Sequence, residues 1–185
     1  MKTKFVNKII DYTGAELRSL WIYESFGIMG DATVSFRGSC DIPPEHMVDS
    51  EDRRDGSAIY SEDMLHFIHE AFATGMGAMV LRQRLFISLV RDELLRLTGR
   101  TSIKRSGDDI YDGGAKVTIS IATVSPVSGL FHAGINVSSN NTPVKTRGLR
   151  DYGIEPGSFA KSLLGFFKTE MEGVKTAACK SRWVR

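Results

Sequence analysis

Lys104-Arg105-Ser106-Gly107-Asp108-Asp109-Ile110-Tyr111-Asp112-Gly113-Gly114-Ala115-Lys116 packs bases, adjacent acids and glycines into thirteen residues. It runs directly into the segment that decides the fold. From Lys116 to Ser125 the side chains alternate, with Val117, Ile119, Ile121 and Thr123 on one face, the period of a strand. Ser125-Pro126 ends that run, and Leu130 to Val137 supplies a second strand, so the pair predicts an antiparallel hairpin. Upstream, Leu81, Leu85, Ile87, Val90, Leu94 and Leu97 recur at helical spacing, which predicts a helix over about 78–97 stopped by Gly99.

Outward from this centre, residues 3–10 read as a short strand. Thr13-Gly14-Ala15-Glu16 has the form of a capping box, which predicts a helix to about Ser25 that buries Leu17, Leu20, Trp21 and Ile22. Ala32 to Arg37 alternates as a strand, and residues 38–61 read as the longest irregular stretch. Ser61 is placed to cap a helix from Glu62 to about Ala73, broken by Gly75 and Gly77. A last helix is expected over about 158–178, burying Phe159, Leu163, Phe166 or Phe167, and Val174. Helices against a mostly antiparallel sheet make the fold class α+β, in one domain over residues 1–185.

Composition narrows the function. The 185 residues are 42% hydrophobic and 25% charged, the usage of an ordinary globular protein. Two cysteines, Cys40 and Cys179, make neither a disulfide framework nor a four-ligand zinc site and suit a reducing cytoplasm. No apolar run approaches a membrane span, and no signal segment is expected. Net charge is only +2, but nine acids face three bases over residues 31–63, and nine bases face four acids over 145–185. Such asymmetry either steers an anionic ligand or marks two solvated faces.

The 104–116 stretch admits two readings. Its glycines let backbone approach a ligand, its bases match phosphate, and its paired acids suit Mg²⁺. Equally, Asp112-Gly113-Gly114 is turn chemistry with solvated charges around it.

Beyond its residues taken singly, the region resembles the core of biotin protein ligases, with lipoate ligases similar around their catalytic lysine. Those carry K-W-P-N-D-L-Y, a turn, a K-L-x-G strand and a G-I-N-V strand. Here the match covers about residues 78–138. Asp108 and Asp109 fall on the N-D pair, Arg105 on the motif lysine, Lys116 on the catalytic lysine, and Gly134-Ile135-Asn136-Val137 on the second strand. Ile119 replaces the strand glycine, Ser106 and Gly107 replace the tryptophan and proline, and only Arg37-Gly38 stands for the arginine-rich adenylate loop. The whole chain is also similar to an uncharacterised archaeal and bacterial family. That likeness rests on Arg18-Ser-x-Trp21, Phe36-Arg-Gly-x-Cys40, Asp63-Met-x-His-Phe67, Ser120 to Ser128 and Cys179-Lys-x-Arg182. The family's fold is that of class II aminoacyl-tRNA synthetases and biotin or lipoate ligases.

The resemblance implies an ATP- and Mg²⁺-dependent ligase or acyltransferase for a small carboxylic acid. Lys116 would be catalytic, with Arg37, Arg105, Asp108, Asp109 and Asn136 holding the nucleotide. The alternatives are a non-catalytic module that binds a nucleotide or RNA, and a protein that pairs as a homodimer. Outside this set, His66 and His69 would share a helical face as a packed or surface pair. Cys40 is an inert buried thiol or an acyl acceptor, and the acidic run Asp49 to Asp55 lacks calcium-loop spacing. Trp183, among Lys180, Arg182 and Arg185, would offer RNA a stacking ring.

Overall fold

Residues 1–184 are described by the structure, a computed structural model. Arg185 of the basic tail lies outside them. In chain order the elements are β1 (Lys2–Ile9), α1 (Trp21–Phe26), β2 (Ala32–Ile42), α2 (Ser50–Asp55), β3 (Ile59–Phe72), α3 (Met76–Thr98), β4 (Ile103–Ser106), β5 (Asp109–Asp112), β6 (Ala115–Lys116), β7 (Thr118–Val124), β8 (Ser128–Asn136) and α4 (Pro156–Lys180). Five strands form the main sheet in the order β1-β2-β3-β8-β7, antiparallel except for β1 beside β2. Strands β4, β5 and β6 make a separate small sheet.

Each face of the main sheet has its own core. On one face α3 and α4 bury Leu65, Phe67, Phe86, Val90, Phe131, Ile135, Leu163 and Phe167. Their apolar stripes are what hold the helices there, since helix stability in proteins comes mainly from such packing. On the other face Tyr12, Trp21, Ile22, Val34, Phe36, Met64 and Ile68 cluster under the β1–β2 crossover.

The helix expected over 62–73 is strand β3. This strand is central and buried on both faces, so the alternation that marks a half-exposed strand is missing from its sequence. Glu16 does reach back to the Thr13 N–H, at 2.8 Å. The chain nevertheless turns instead of winding, passes through left-handed Leu20, and becomes helical only at Trp21. The stretch 38–61 is more regular than expected, with β2 running on to Ile42 and Asp49 capping α2. Leu81, Leu97 and Val174 are exposed, and at the α4 ambiguity Phe167 is the buried residue. Among the described residues, no helix is long and apolar enough to cross a membrane.

Candidate functional site

Two tight hairpins build the shelf that carries the lysine. Gly107 and Asp108 turn β4 into β5, and Gly113-Gly114 turn β5 into β6. Both glycines of the second turn have positive φ, 58° and 85°, which two-residue hairpins of this twist demand. The turn reading of this stretch therefore holds, and the same turns bring Asp109 and Lys116 together. Tyr111 pairs with Lys116 across the ladder, and Asp109 lies two residues from Tyr111 on the same face. The Lys116 ammonium meets an Asp109 oxygen at 2.7 Å. Its backbone is clamped as well: its N–H donates to the Lys145 carbonyl, and its own carbonyl accepts from Arg147.

Asp112 anchors this clamp. Its buried carboxylate accepts from Arg147 at 2.7 Å, Arg100 at 3.1 Å, Tyr152 at 3.1 Å and also Ser102. Burial opposes its ionisation, but the Ser102 and Tyr152 hydrogen bonds and the two guanidinium charges outweigh it and lower its pKa. In the sequence, Asp112 before Gly113-Gly114 has only the signature of a turn.

These elements edge a cavity of about 580 Å³ on the sheet face opposite α3 and α4. That volume is in the range of small-molecule sites. Asp108, Asp109, Tyr111, Lys116, Asn136 and Lys145 give it polar edges, while Ile42, Met64, Ile119 and Ile121 give it apolar walls. Asn136 donates to the Lys116 carbonyl at 3.4 Å. Burial weighs against the Lys116 charge, yet the neighbouring Asp109 outweighs it and raises the ammonium pKa. Burial also raises the Asp109 carboxyl, only partly offset by Lys116. The ammonium is thus the firm charge of the pair, and the carboxylate the softer one.

Arg37 and Arg105 are not brought to this cavity. Arg37 lies on the helical side of the sheet, paired through Nε and Nη2 with Asp63 at 2.6 and 2.5 Å. Arg105 is exposed on β4 and donates to the Gly107 carbonyl. Gly38, beside Arg37, serves a close backbone crossing: a Cβ there would sit 1.9 Å from the Ile10 carbonyl oxygen. Asp108 borders the cavity and accepts from Gln83 at 3.3 Å. Among the described residues, no group of three or more His, Cys, Asp or Glu is arranged to hold a metal ion.

The histidines fall differently from expectation. His66 and His69 sit on a strand, three apart, and so point to opposite faces. His66 Nδ1 meets His132 Nε2 at 3.0 Å, and the Tyr12 ring stacks on His132 at 3.9 Å. His132 and Tyr12 both border the cavity. The available signal was the period-two row His132, Gly134, Asn136, which puts all three on one strand face. Cys40 is fully buried, and burial followed by the nearby Asp41 and Glu16 pushes its thiol up to about 12. It stays a neutral thiol at physiological pH, which is the inert reading of that residue.

A five-stranded sheet backed by helices is a fold shared with biotin and lipoate protein ligases. A point mutant of the Aquifex aeolicus biotin protein ligase, solved with biotin, superposes with a TM-score of 0.61 at 11% identity, covering 93% of this chain and 70% of the ligase. The same ligase has been solved with biotin and ATP, with a TM-score of 0.59. A T. acidophilum protein with bound lipoic acid, provisionally a lipoate protein ligase, gives 0.56 at 16% identity, over 92% of this chain and 85% of that one. The chain itself belongs to the family described as domain of unknown function DUF366, whose model matches residues 1–182. A protein of unknown function from Pyrococcus horikoshi is 40% identical over 99% of this chain and 100% of its own, with a TM-score of 0.91.

Proposed function

We propose that the protein is an ATP-dependent, adenylate-forming ligase or acyltransferase for a small carboxylic acid. The observation that carries this reading is the Lys116–Asp109 pair, with Asn136, at the edge of one cavity. The donor set fits a nucleotide: Lys116 and Lys145 are cations for phosphate oxygens, and Asp108 and Asp109 are the hard oxygen donors that Mg²⁺ takes one or two at a time. When bound, Mg²⁺ would offset phosphate charge. A carboxylate oxygen of the acid would form a bond to the α-phosphorus of ATP, and pyrophosphate would leave with the electron pair of the broken bond. Charge on the phosphate oxygens would be met by the Lys116 ammonium, which Asp109 keeps both protonated and aimed. A cytoplasmic location belongs to the same reading.

The test is acid-dependent exchange of pyrophosphate into ATP over a panel of carboxylic acids. Lys116→Ala should lower exchange by about a hundredfold or more, the usual loss of one oriented charge donor. One observation favours a second reading, a binding module without catalysis: both arginines that would clamp phosphates are engaged away from the cavity. A binder would show no exchange with any acid. It would still raise its melting temperature with ATP or an acid, by up to about 2.7 kcal/mol of stabilisation at a hundredfold excess over Kd. Pairing with a second copy, and RNA contact through the basic tail, are separate proposals that sedimentation and salt-dependent binding would read.

A further inference from the structure

One member of a buried histidine pair, His132, borders the cavity, and the carbonyl at the far end of the pair sets its proton positions. His66 Nε2 lies 3.4 Å from the Gly38 carbonyl oxygen, which only accepts, so Nε2 carries the His66 proton. His66 Nδ1 is then a bare acceptor. Its partner at 3.0 Å, His132 Nε2, must donate. A neutral imidazole has one proton, so His132 Nδ1 keeps an unshared lone pair. Both rings are neutral at physiological pH: burial holds His66 down at about 4, and burial with the neighbouring His66 holds His132 well below the ordinary histidine range. Phe36 stacks on His66 and Tyr12 on His132, so the rings are held in place.

Among the described residues, nothing pairs with His132 Nδ1. Neither is that atom one of the buried side-chain atoms left without a partner, so it keeps access to the space that His132 borders. Four residues along the same strand face lies Asn136, beside Lys116. At about 3.3 Å per residue, His132 and Asn136 are roughly 13 Å apart. The wall between them is apolar, formed by Ile119, Ile121 and Met64, whose sulfur lies over Gly134.

We infer that His132 is a specificity-determining residue: its Nδ1 accepts a hydrogen bond from the ligand, so the acid taken by this cavity carries an O–H or N–H donor about 10 Å from its carboxylate, the span of roughly 13 Å less the length of one hydrogen bond, about 3 Å. The ligand class is an acid with an apolar middle and a donor-bearing far end, its carboxylate placed at Lys116. This rests on the proposed ligase function, in which the acid's carboxylate attacks the α-phosphorus whose oxygens Lys116 meets and so lies beside that lysine. A ligand that ends in a carbonyl would face lone pair against lone pair and is rejected.

The probes are ω-hydroxyoctanoic acid, its isostere nonanoic acid, and the acid of similar length ending in a methyl ketone. Binding is measured by calorimetry without ATP, so it does not depend on catalysis. The wild type should bind the hydroxy acid at least about tenfold more tightly than either of the others, and His132→Phe should shrink that preference to about twofold. Long-range proton–nitrogen correlation in the wild type should place the proton of both His66 and His132 on Nε2. The hydroxy acid alone should shift the His132 Nδ1 resonance. A ketone or alkyl acid bound as tightly as the hydroxy acid would overturn the inference. So would a preference that survives in His132→Phe, a proton found on His132 Nδ1, or no binding of any probe at millimolar concentration. The expected order of binding with no pyrophosphate exchange would instead sink the ligase reading and leave this inference standing.

Discussion

The two faces of the main sheet treat their buried histidines in opposite ways. On the helical face His69 sits among Phe131 and Phe167, held through Nδ1 to the Ala32 carbonyl at 3.0 Å and to Thr33 Oγ1 at 2.9 Å, while its Nε2 has no partner. On the cavity face His66 and His132 are chained to a carbonyl, and the free end of the chain lies at the cavity. A lone polar atom sealed in a core only costs stability, because its desolvation is not offset. A chained pair with one open end is an arrangement a ligand can complete. With His132 as the ligand acceptor inferred for it, the helical face serves stability and the cavity face recognition.

The largest effect belongs to the helical face. Phe86 is fully buried and meets Phe67, Phe131 and Phe167 at 4.9 to 5.5 Å between ring centroids. Phe86→Ala should cost about 3–5 kcal/mol, the usual loss for a large core truncation. Ile121 is only partly buried and already borders open space, so Ile121→Ala should cost less than about 1.5 kcal/mol. Urea unfolding of the two variants measures both. Equal losses would mean that the open face contributes to stability as heavily as the helical one.

A smaller effect separates the histidines by pH. Each has a folded-state pKa lowered by burial, to about 3 for His69 and about 4 for His66, against 6.5 when unfolded. A lowered pKa gives stability that is complete above 6.5 and is lost as pH falls from there through the folded value. The loss is on the order of 1.4 kcal/mol per pH unit for each histidine, or about 2 kcal/mol at pH 5. His69→Phe should change stability at pH 7 by no more than about 1 kcal/mol, since it trades the Ala32 bond for relief of the orphaned Nε2. It should recover about 2 kcal/mol at pH 5. His66→Phe should destabilise at pH 7 as well, because it strips a donor from Gly38 and an acceptor from His132. Urea unfolding at pH 7 and pH 5 reads both, and identical behaviour would erase the distinction between the faces.

What sequence could show follows the same division. The hairpin of β7 and β8 was legible because alternation survives where one face is less covered. Helices α3 and α4 were legible because their stripes meet a single core. β3 was not, since a strand buried on both faces carries apolar and histidine residues without a period. At the site, Lys116, Asp109 and Asn136 were reachable through motif order, and the structure does bring them together. Arg37 falls outside that group for a simpler reason. Matching a residue to a motif fixes its strand but not its face, and Arg37 pairs in register with Leu65 on the helical side. The chained histidine pair needed Tyr12, Gly38, His66 and His132 from four separate parts of the chain, which no local pattern connects.

A small effect on stability is expected at Lys116. The Lys116–Asp109 contact is short and partly buried, which invites the view that it holds the small sheet in place. Asp109 leads the other way, because at the carboxylate burial outweighs the lysine. Burial already raises the Asp109 carboxyl in the presence of the lysine. Without the lysine the same burial would raise it further, and the carboxyl would meet the loss by taking up a proton rather than standing as an orphan charge. Lys116→Ala should therefore change unfolding by only about 1 kcal/mol at neutral pH, while Asp109 titrates at higher pH by carboxylate infrared absorption. A loss near the 3–5 kcal/mol of a broken buried pair would make the contact structural and remove the main support for a catalytic lysine. A small loss would leave Lys116 as a charge the fold does not need, held where a ligand carboxylate or phosphate would use it.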